Sequence, residues 1–254
     1  MDSTFEANGV TLAGHLARAG RGEPDLPALV LCHEFPSGVA GAGGSARSYP
    51  QLADRIAVEV GWLVLTFNFR GAGESEGQFS LGGWLADLQG AVAHLRTSEN
   101  VTRVLLAGFG TGGALAIVAG ALDPSIEAVA ALGTSADFDD WAGNPRRLLQ
   151  HARDINLITD PSYPPSLEEW TRDLRRIRPI TSARALAPRP LLVLHGSEDE
   201  SVPVFDARVL SDAHGSAELR IIDGAGHQLR HDPRAIAVLL GWLDRQKHRV
   251  PASG

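Results

Sequence analysis

At 254 residues, with 44% hydrophobic content, the chain can bury the core of one large α/β domain, and no Pro-, Gly- or Ser-rich linker marks a second unit. The formal charge of -7 and a pI near 5.7 repel phosphate backbones and anionic bilayers, so neither nucleic acid nor a membrane is an expected partner. Cys32 is the only cysteine, which excludes an internal disulfide and a Cys-rich metal framework.

The opening residues, Met1 to Glu6, lack a basic stretch followed by an apolar core, and no apolar run is long enough to span a bilayer. A cytoplasmic protein is expected. Phe5 to Ala7 and Thr11 to Ala17 flank Asn8-Gly9, which predicts an opening hairpin. Ala28 to His33 and Trp62 to Asn68 are continuous apolar runs of buried-strand length, separated by the amphipathic segment Tyr49 to Glu59. A helix is predicted over Gly83 to Leu95, a strand over Arg103 to Ala107, a helix over Ala114 to Leu122 and a strand over Ile126 to Leu132. From Thr134 to Arg178 the pattern breaks into short pieces containing Pro and Trp. A strand at Pro190 to His195, a helix at Val204 to Ala213, a strand at Ala217 to Ile222 and a helix at Arg234 to Gln246 complete the order. Such alternation predicts a mainly parallel sheet covered on both faces.

Between one strand and the next helix stands Gly108-Phe109-Gly110-Thr111-Gly112-Gly113. It reads as a G-x-S-x-G nucleophile elbow with glycine in the serine position. Small residues suit a turn where strand and helix pass closely and the apex backbone is strained. Glycine relieves that strain but offers no oxygen to attack a carbonyl.

Several motifs in order then resemble the α/β-hydrolase family over nearly the whole chain. Leu31-Cys32-His33-Glu34-Phe35-Pro36-Ser37-Gly38 is similar to the oxyanion loop after the third strand, and Asn68 to Gly77 to the glycine-rich turn after the next. Leu194 to Pro203 resembles the loop carrying the acid, and Gly224-Ala225-Gly226-His227 the loop carrying the histidine. The insertion and the Arg70 turn are most similar to small-lid esterases. The resemblance implies one α/β-hydrolase domain over residues 1–254, with an eight-stranded, mostly parallel sheet and a lid at about residues 135–180.

By the same resemblance, Asp199 is the acid that orients the histidine, His227 the general base, and Phe35 and Thr111 the oxyanion-hole donors through their N–H groups. Gly110 departs from the pattern at the nucleophile. Glu34 departs too, since glycine is usual after that histidine; it reads either as a solvated loop carboxylate or as a pocket acid or base. Thr111 is the obvious substitute nucleophile, but it lies one residue past the apex, where a side chain normally points away from the histidine. His33 could be a base or ligand but, like His195, is preferred as structural; Arg70 and Glu74 could touch a substrate but are preferred as turn-stabilising. Phe109, Trp141 and Trp170, with Glu34, are candidate pocket residues. Phe138, Trp141, Leu148, Leu149, Trp170, Leu174 and Ile177 could line an apolar pocket or form the lid's own core; Arg172, Arg175, Arg176 and Arg178, with Glu168, Glu169 and Asp173, could recognise an anionic ligand or form an exposed helix face with i,i+4 charge pairs, the preferred reading. The nine histidines show no metal-ligand spacing, so neither a metal nor a cofactor is expected.

Three functions remain open. His227, oriented by Asp199, acts as a base on water or a substrate proton of a small ester, lactone or related carbonyl compound, without an acyl-enzyme. Alternatively, the fold serves as an inactive binding or interaction module. In the third, an ordinary serine esterase has had its nucleophile exchanged for glycine. Loss of a serine nucleophile costs about a million-fold in turnover in a serine protease, more than binding contacts readily replace. The expected partner is a small-molecule substrate or ligand, with self-association into a homo-oligomer open.

Overall fold

A computed structural model describes residues 2–19, 27–36, 48–99, 101 and 103–249. Met1, and Ser37 and Gly38 of the expected oxyanion loop, lie outside the described residues. The fold is the predicted one. Eight strands form a single sheet: β1 (Asp2–Ala7), β2 (Val10–Ala17), β3 (Ala28–Cys32), β4 (Leu63–Phe67), β5 (Val104–Phe109), β6 (Ile126–Leu132), β7 (Leu191–Gly196) and β8 (Glu218–Ile222). Their order is β1-β2-β4-β3-β5-β6-β7-β8. The β1–β2 and β2–β4 pairs are antiparallel, and the rest are parallel. Asn8 and Gly9 turn the first hairpin with φ of 52° and 76°, the left-handed conformation that an Asn-Gly turn supplies.

The central strands β3, β4, β5 and β7 are buried along their whole length, which explains their unbroken apolar sequences. On one face lie α1 (Tyr49–Val60) and the last helix, α9 (Pro233–Lys247), packed with Leu29, Leu31, Ala107 and Leu192. The other face carries α2 (Leu81–Ser98), α3 (Gly110–Leu122), α7 (Pro179–Leu186) and α8 (Val204–His214) over Val30, Leu65, Leu106 and Val193. Two polar caps fix the entry of helices near the site. Ser80 Oγ accepts from the Gly83 N–H ahead of α2, and Asp232 accepts from the N–H groups of Arg234 and Ala235 ahead of α9.

Two regions differ from the sequence expectation by more than a few residues at an element's end. β5 runs on to Phe109 and α3 begins at Gly110, so strand passes directly into helix with no separate turn. Local propensity places the helix start later because it penalises glycine, whereas close packing at this junction demands it. The insertion is also more regular than expected, with α4 (Asp139–Gly143), α5 (Pro145–Asp154) and α6 (Leu167–Arg176) preceding α7. Pro145 and Pro179 occupy the first helical position, where the missing N–H costs nothing, so they start helices instead of breaking them.

The insertion's apolar residues mostly form core. Phe138, Leu148, Trp170, Leu174 and Ile177 are buried in the cluster that continues under the sheet. Arg172, Arg175 and Arg176 face solvent, and Arg178 pairs with Asp139.

Candidate active site

The elbow between β5 and α3 is held by contacts that exclude side chains. A Cβ at Gly112 would stand 2.4 Å from the His33 carbonyl oxygen, and one at Gly108 would stand 2.3 Å from the Gly112 carbonyl carbon. Gly110 has φ of +50°, a left-handed conformation that glycine adopts without strain. A Cβ there would be directed into the site, 3.7 Å from His227 Nε2 and 3.0 Å from Glu34 Cβ. Thr111 is the second residue of α3, so its N–H is among those without an acceptor inside the helix.

His227 and Asp199 come from the loops after β8 and β7 and meet with Nδ1 and Oδ2 2.8 Å apart. The same Oδ2 lies 3.3 Å from His195 Nε2, while Oδ1 accepts from the N–H groups of Ser201 and Val202 at 2.9 and 2.8 Å. Burial raises the Asp199 carboxyl's pKa, but the hydrogen bonds from His195, His227 and Val202, with the His227 charge, outweigh it and hold the group well below the usual carboxylate range. An ionised Asp199 fixes the imidazole with its proton on Nδ1, leaving the Nε2 lone pair toward Gly110. Gly133, just past β6, borders the pair with φ of +60°, a conformation that favours glycine; a Cβ there would sit in ordinary contact, 3.6 Å from His227 Nδ1 and 3.7 Å from Asp199 Oδ2.

Two other histidines are structural. His33 is fully buried; its Nε2 accepts from the Phe69 N–H at 3.1 Å, so Nδ1 donates to the Glu34 carbonyl at 2.7 Å. Burial, reinforced by the Arg230 charge, pushes its pKa down to about 3, which keeps the ring neutral and the loop after β3 tied to the turn after β4. His195 Nε2 also lies 2.9 Å from the Val202 carbonyl, bracing the acid loop. Beneath the β4 turn, Arg70 binds the fully buried Asp87 through both its backbone N–H and its guanidinium, a structural role in keeping with the sequence reading.

Glu34 is not a solvated loop residue. Its carboxylate is 7% exposed and pairs through Oε1 with Arg230 Nη1, while Oε2 lies 3.6 Å from His227 Nε2. Arg230 belongs to the short 3-10 turn just after His227, donates from Nε to Ser48 Oγ at 3.1 Å, and lies 5.7 Å from the Tyr49 ring centre. Tyr49 OH in turn accepts from the Glu34 N–H at 3.3 Å. Sequence reasoning missed Arg230, because an arginine three residues past a histidine forms no motif; Gly133 was missed for the same reason.

A cavity of about 250 Å³ opens over these groups. Glu34, Phe35, Gly110, Thr111, Trp141 and His227 are part of its wall. Phe35 is wedged among Phe79, Trp84 and Trp141, with ring centres 5.2, 5.8 and 5.0 Å away. Two of the candidate pocket residues are elsewhere. Phe109 turns to the α1 face and packs edge-on against Tyr49 at 5.6 Å, because strand alternation points it away from the cavity. Trp170 stands behind Phe79 and donates to its carbonyl at 3.0 Å. Asp137, Asp140 and Asp206 also line the cavity, and among the described residues none forms an ion pair with Lys or Arg. Among those residues there is likewise no group of three or more His, Cys, Asp or Glu placed to hold a metal ion, and no helix long and apolar enough to cross a membrane.

An eight-stranded α/β sheet with an acid–histidine pair facing a strand-to-helix elbow defines the hydrolase class of this architecture. The chain belongs to the α/β hydrolase family, whose profile matches residues 29–239. Among characterised relatives, it is 28% identical over 258 residues to Esterase LipC of Mycobacterium tuberculosis, a match covering 88% of this chain; the chain spans 60% of that relative's length. Solved structures share the fold. Est1E of Butyrivibrio proteoclasticus with ferulic acid bound has a TM-score of 0.72 at 20% identity, covering 96% of this chain and 97% of that one. The α/β hydrolase GrgF of Penicillium sp. sh18 has a TM-score of 0.74 at 21% identity, covering 98% and 99%.

Proposed function

We propose that this esterase-like protein hydrolyses a small ester, lactone or related carbonyl compound with water as the nucleophile, activated by His227, and without an acyl-enzyme. One observation carries the reading: the imidazole is oriented by Asp199 at 2.8 Å, yet its Nε2 faces a cavity over a residue that has no side chain. In this scheme Nε2 takes a proton from water as the water oxygen bonds to the carbonyl carbon. The developing oxyanion lies on the N–H groups of Phe35 and Thr111. Collapse of the tetrahedral adduct breaks the bond to the leaving oxygen, which takes the proton back from the imidazolium, giving a carboxylic acid and an alcohol.

A panel of short esters, lactones and thioesters tests the reading with purified protein. His227→Ala abolishes turnover in a folded protein, and Asp199→Asn lowers kcat by up to about 10⁴-fold through loss of the correct tautomer. Thr111→Val, which keeps the backbone N–H, leaves kcat near the wild-type value. A collapse of activity in Thr111→Val moves the chemistry to that hydroxyl. The second reading, a binding module, is favoured by the proximity of Glu34 to His227 Nε2. It gains if ligands bind with no turnover across the panel and binding survives His227→Ala.

A further inference from the structure

We infer that Glu34 has taken the place on His227 that a nucleophilic side chain at position 110 would occupy, that Gly110 and Glu34 are therefore a matched pair, and that the seat they leave is built for a water molecule. The water half of the inference rests on the proposed hydrolysis; the exclusion of a serine does not.

The geometry states the conflict. A Cβ on residue 110 would lie 3.7 Å from His227 Nε2, close enough for a serine hydroxyl to reach the imidazole. That Cβ would also lie 3.0 Å from Glu34 Cβ, tighter than carbon atoms normally approach. Glu34 Oε2 already stands 3.6 Å from the same Nε2, so a serine side chain and the carboxylate would contend for the space beside it. Glu34 is not free to swing away. Its other oxygen is held by Arg230, which is itself anchored on Ser48 and Tyr49, and its backbone N–H is held by Tyr49 OH. A restored serine would have to displace a buried, braced carboxylate.

The separation suits water. A water placed at ordinary hydrogen-bond lengths from both Nε2 and Oε2, which are 3.6 Å apart, subtends an angle of about 80° between them, near enough to its own bond angle to donate one hydrogen to each. Its lone pairs then face the cavity. Glu34 orients the water and His227 removes the proton, two tasks that a serine mechanism divides differently.

The test is a four-protein square: wild type, Gly110→Ser, Glu34→Gly, and the Glu34→Gly/Gly110→Ser double variant. Each is treated with a fluorophosphonate and followed by intact mass, with folding checked by circular dichroism. The double variant labels at Ser in position 110, whereas Gly110→Ser alone labels at least about a hundredfold more slowly, the fold-change of parting a buried ion pair. Equal labelling rates for those two proteins overturn the inference, as does a folded double variant that never labels. If the orphaned guanidinium unfolds the double variant, adding Arg230→Met removes that charge and the same comparison is made. The water seat is read separately from Glu34→Gln, which keeps the side chain's shape: kcat falls at least about tenfold with KM within about twofold of wild type. An unchanged kcat refutes the seat. If the wild type turns over nothing in the ester panel, the water half falls with the hydrolytic reading, while labelling still decides whether Glu34 holds the position.

Discussion

Arg230→Met isolates the new electrostatic element of this site. The substitution keeps much of the side chain's bulk but leaves the Glu34 carboxylate, 7% exposed, without its cation and beside an imidazole already bound to Asp199. Removing one partner of a buried ion pair costs about 3–5 kcal/mol, because the surviving charge has lost its hydration and its compensation. For a domain of this size that lowers Tm by about 6–20 °C. Differential scanning calorimetry at pH 7 measures it directly, with urea unfolding as an independent check. Glu34→Leu/Arg230→Met removes the stranded charge as well and recovers most of the loss, since well-packed apolar pairs replace buried ion pairs at little cost. An Arg230→Met protein melting within about 2 °C of wild type, or a double variant melting as low as the single one, would refute the view that Glu34 is a buried, arginine-compensated charge.

Stability depends on pH through His33. Its folded pKa is depressed to about 3 from an ordinary 6.5, so between those values the unfolded chain binds a proton that the native chain does not. This contribution is fully present above pH 6.5 and is lost as pH falls, by up to about 1.4 kcal/mol per pH unit; a His33→Gln variant with the same urea-midpoint slope between pH 7 and 4 would contradict it. Gly112→Ala places a methyl 2.4 Å from the His33 carbonyl oxygen and 2.9 Å from Cys32 Cβ, so it destabilises the protein by at least about 2 kcal/mol in chemical denaturation, and a neutral effect would mean the elbow is looser than described. The carboxylates of Asp137, Asp140 and Asp206 around the cavity, none of them paired with Lys or Arg among the described residues, predict that an ester with a cationic leaving group has a lower KM than its carboxylate-bearing counterpart, with the gap narrowing at 0.5 M salt; the reverse preference at low salt would exclude these residues from substrate contact.

The order of strands and helices was legible in the sequence because hydrophobic periodicity is a local property. β3, β4, β5 and β7 are buried on both faces and read as unbroken apolar runs; α1 and α9 cover one face only and carry apolar residues at helical spacing. The loop motifs that carry Asp199 and His227 were legible too, each sitting beyond the end of a recognisable strand. What β5 and α3 do at their junction was less so, since glycine has low helix propensity and only the close approach of His33 and Gly112 shows why it stands there. The sequence alone left Glu34 divided between solvent and pocket, and gave no reason to single out Arg230. The two are 196 positions apart, and a lone ion pair has no periodicity and no spacing rule by which to announce itself. Their meeting follows from assembly of the sheet, which brings the loops after β3 and β8 together beside the elbow. Whether a carboxylate is hydrated or buried against a histidine is a property of that assembled environment, and only the tertiary structure decided it.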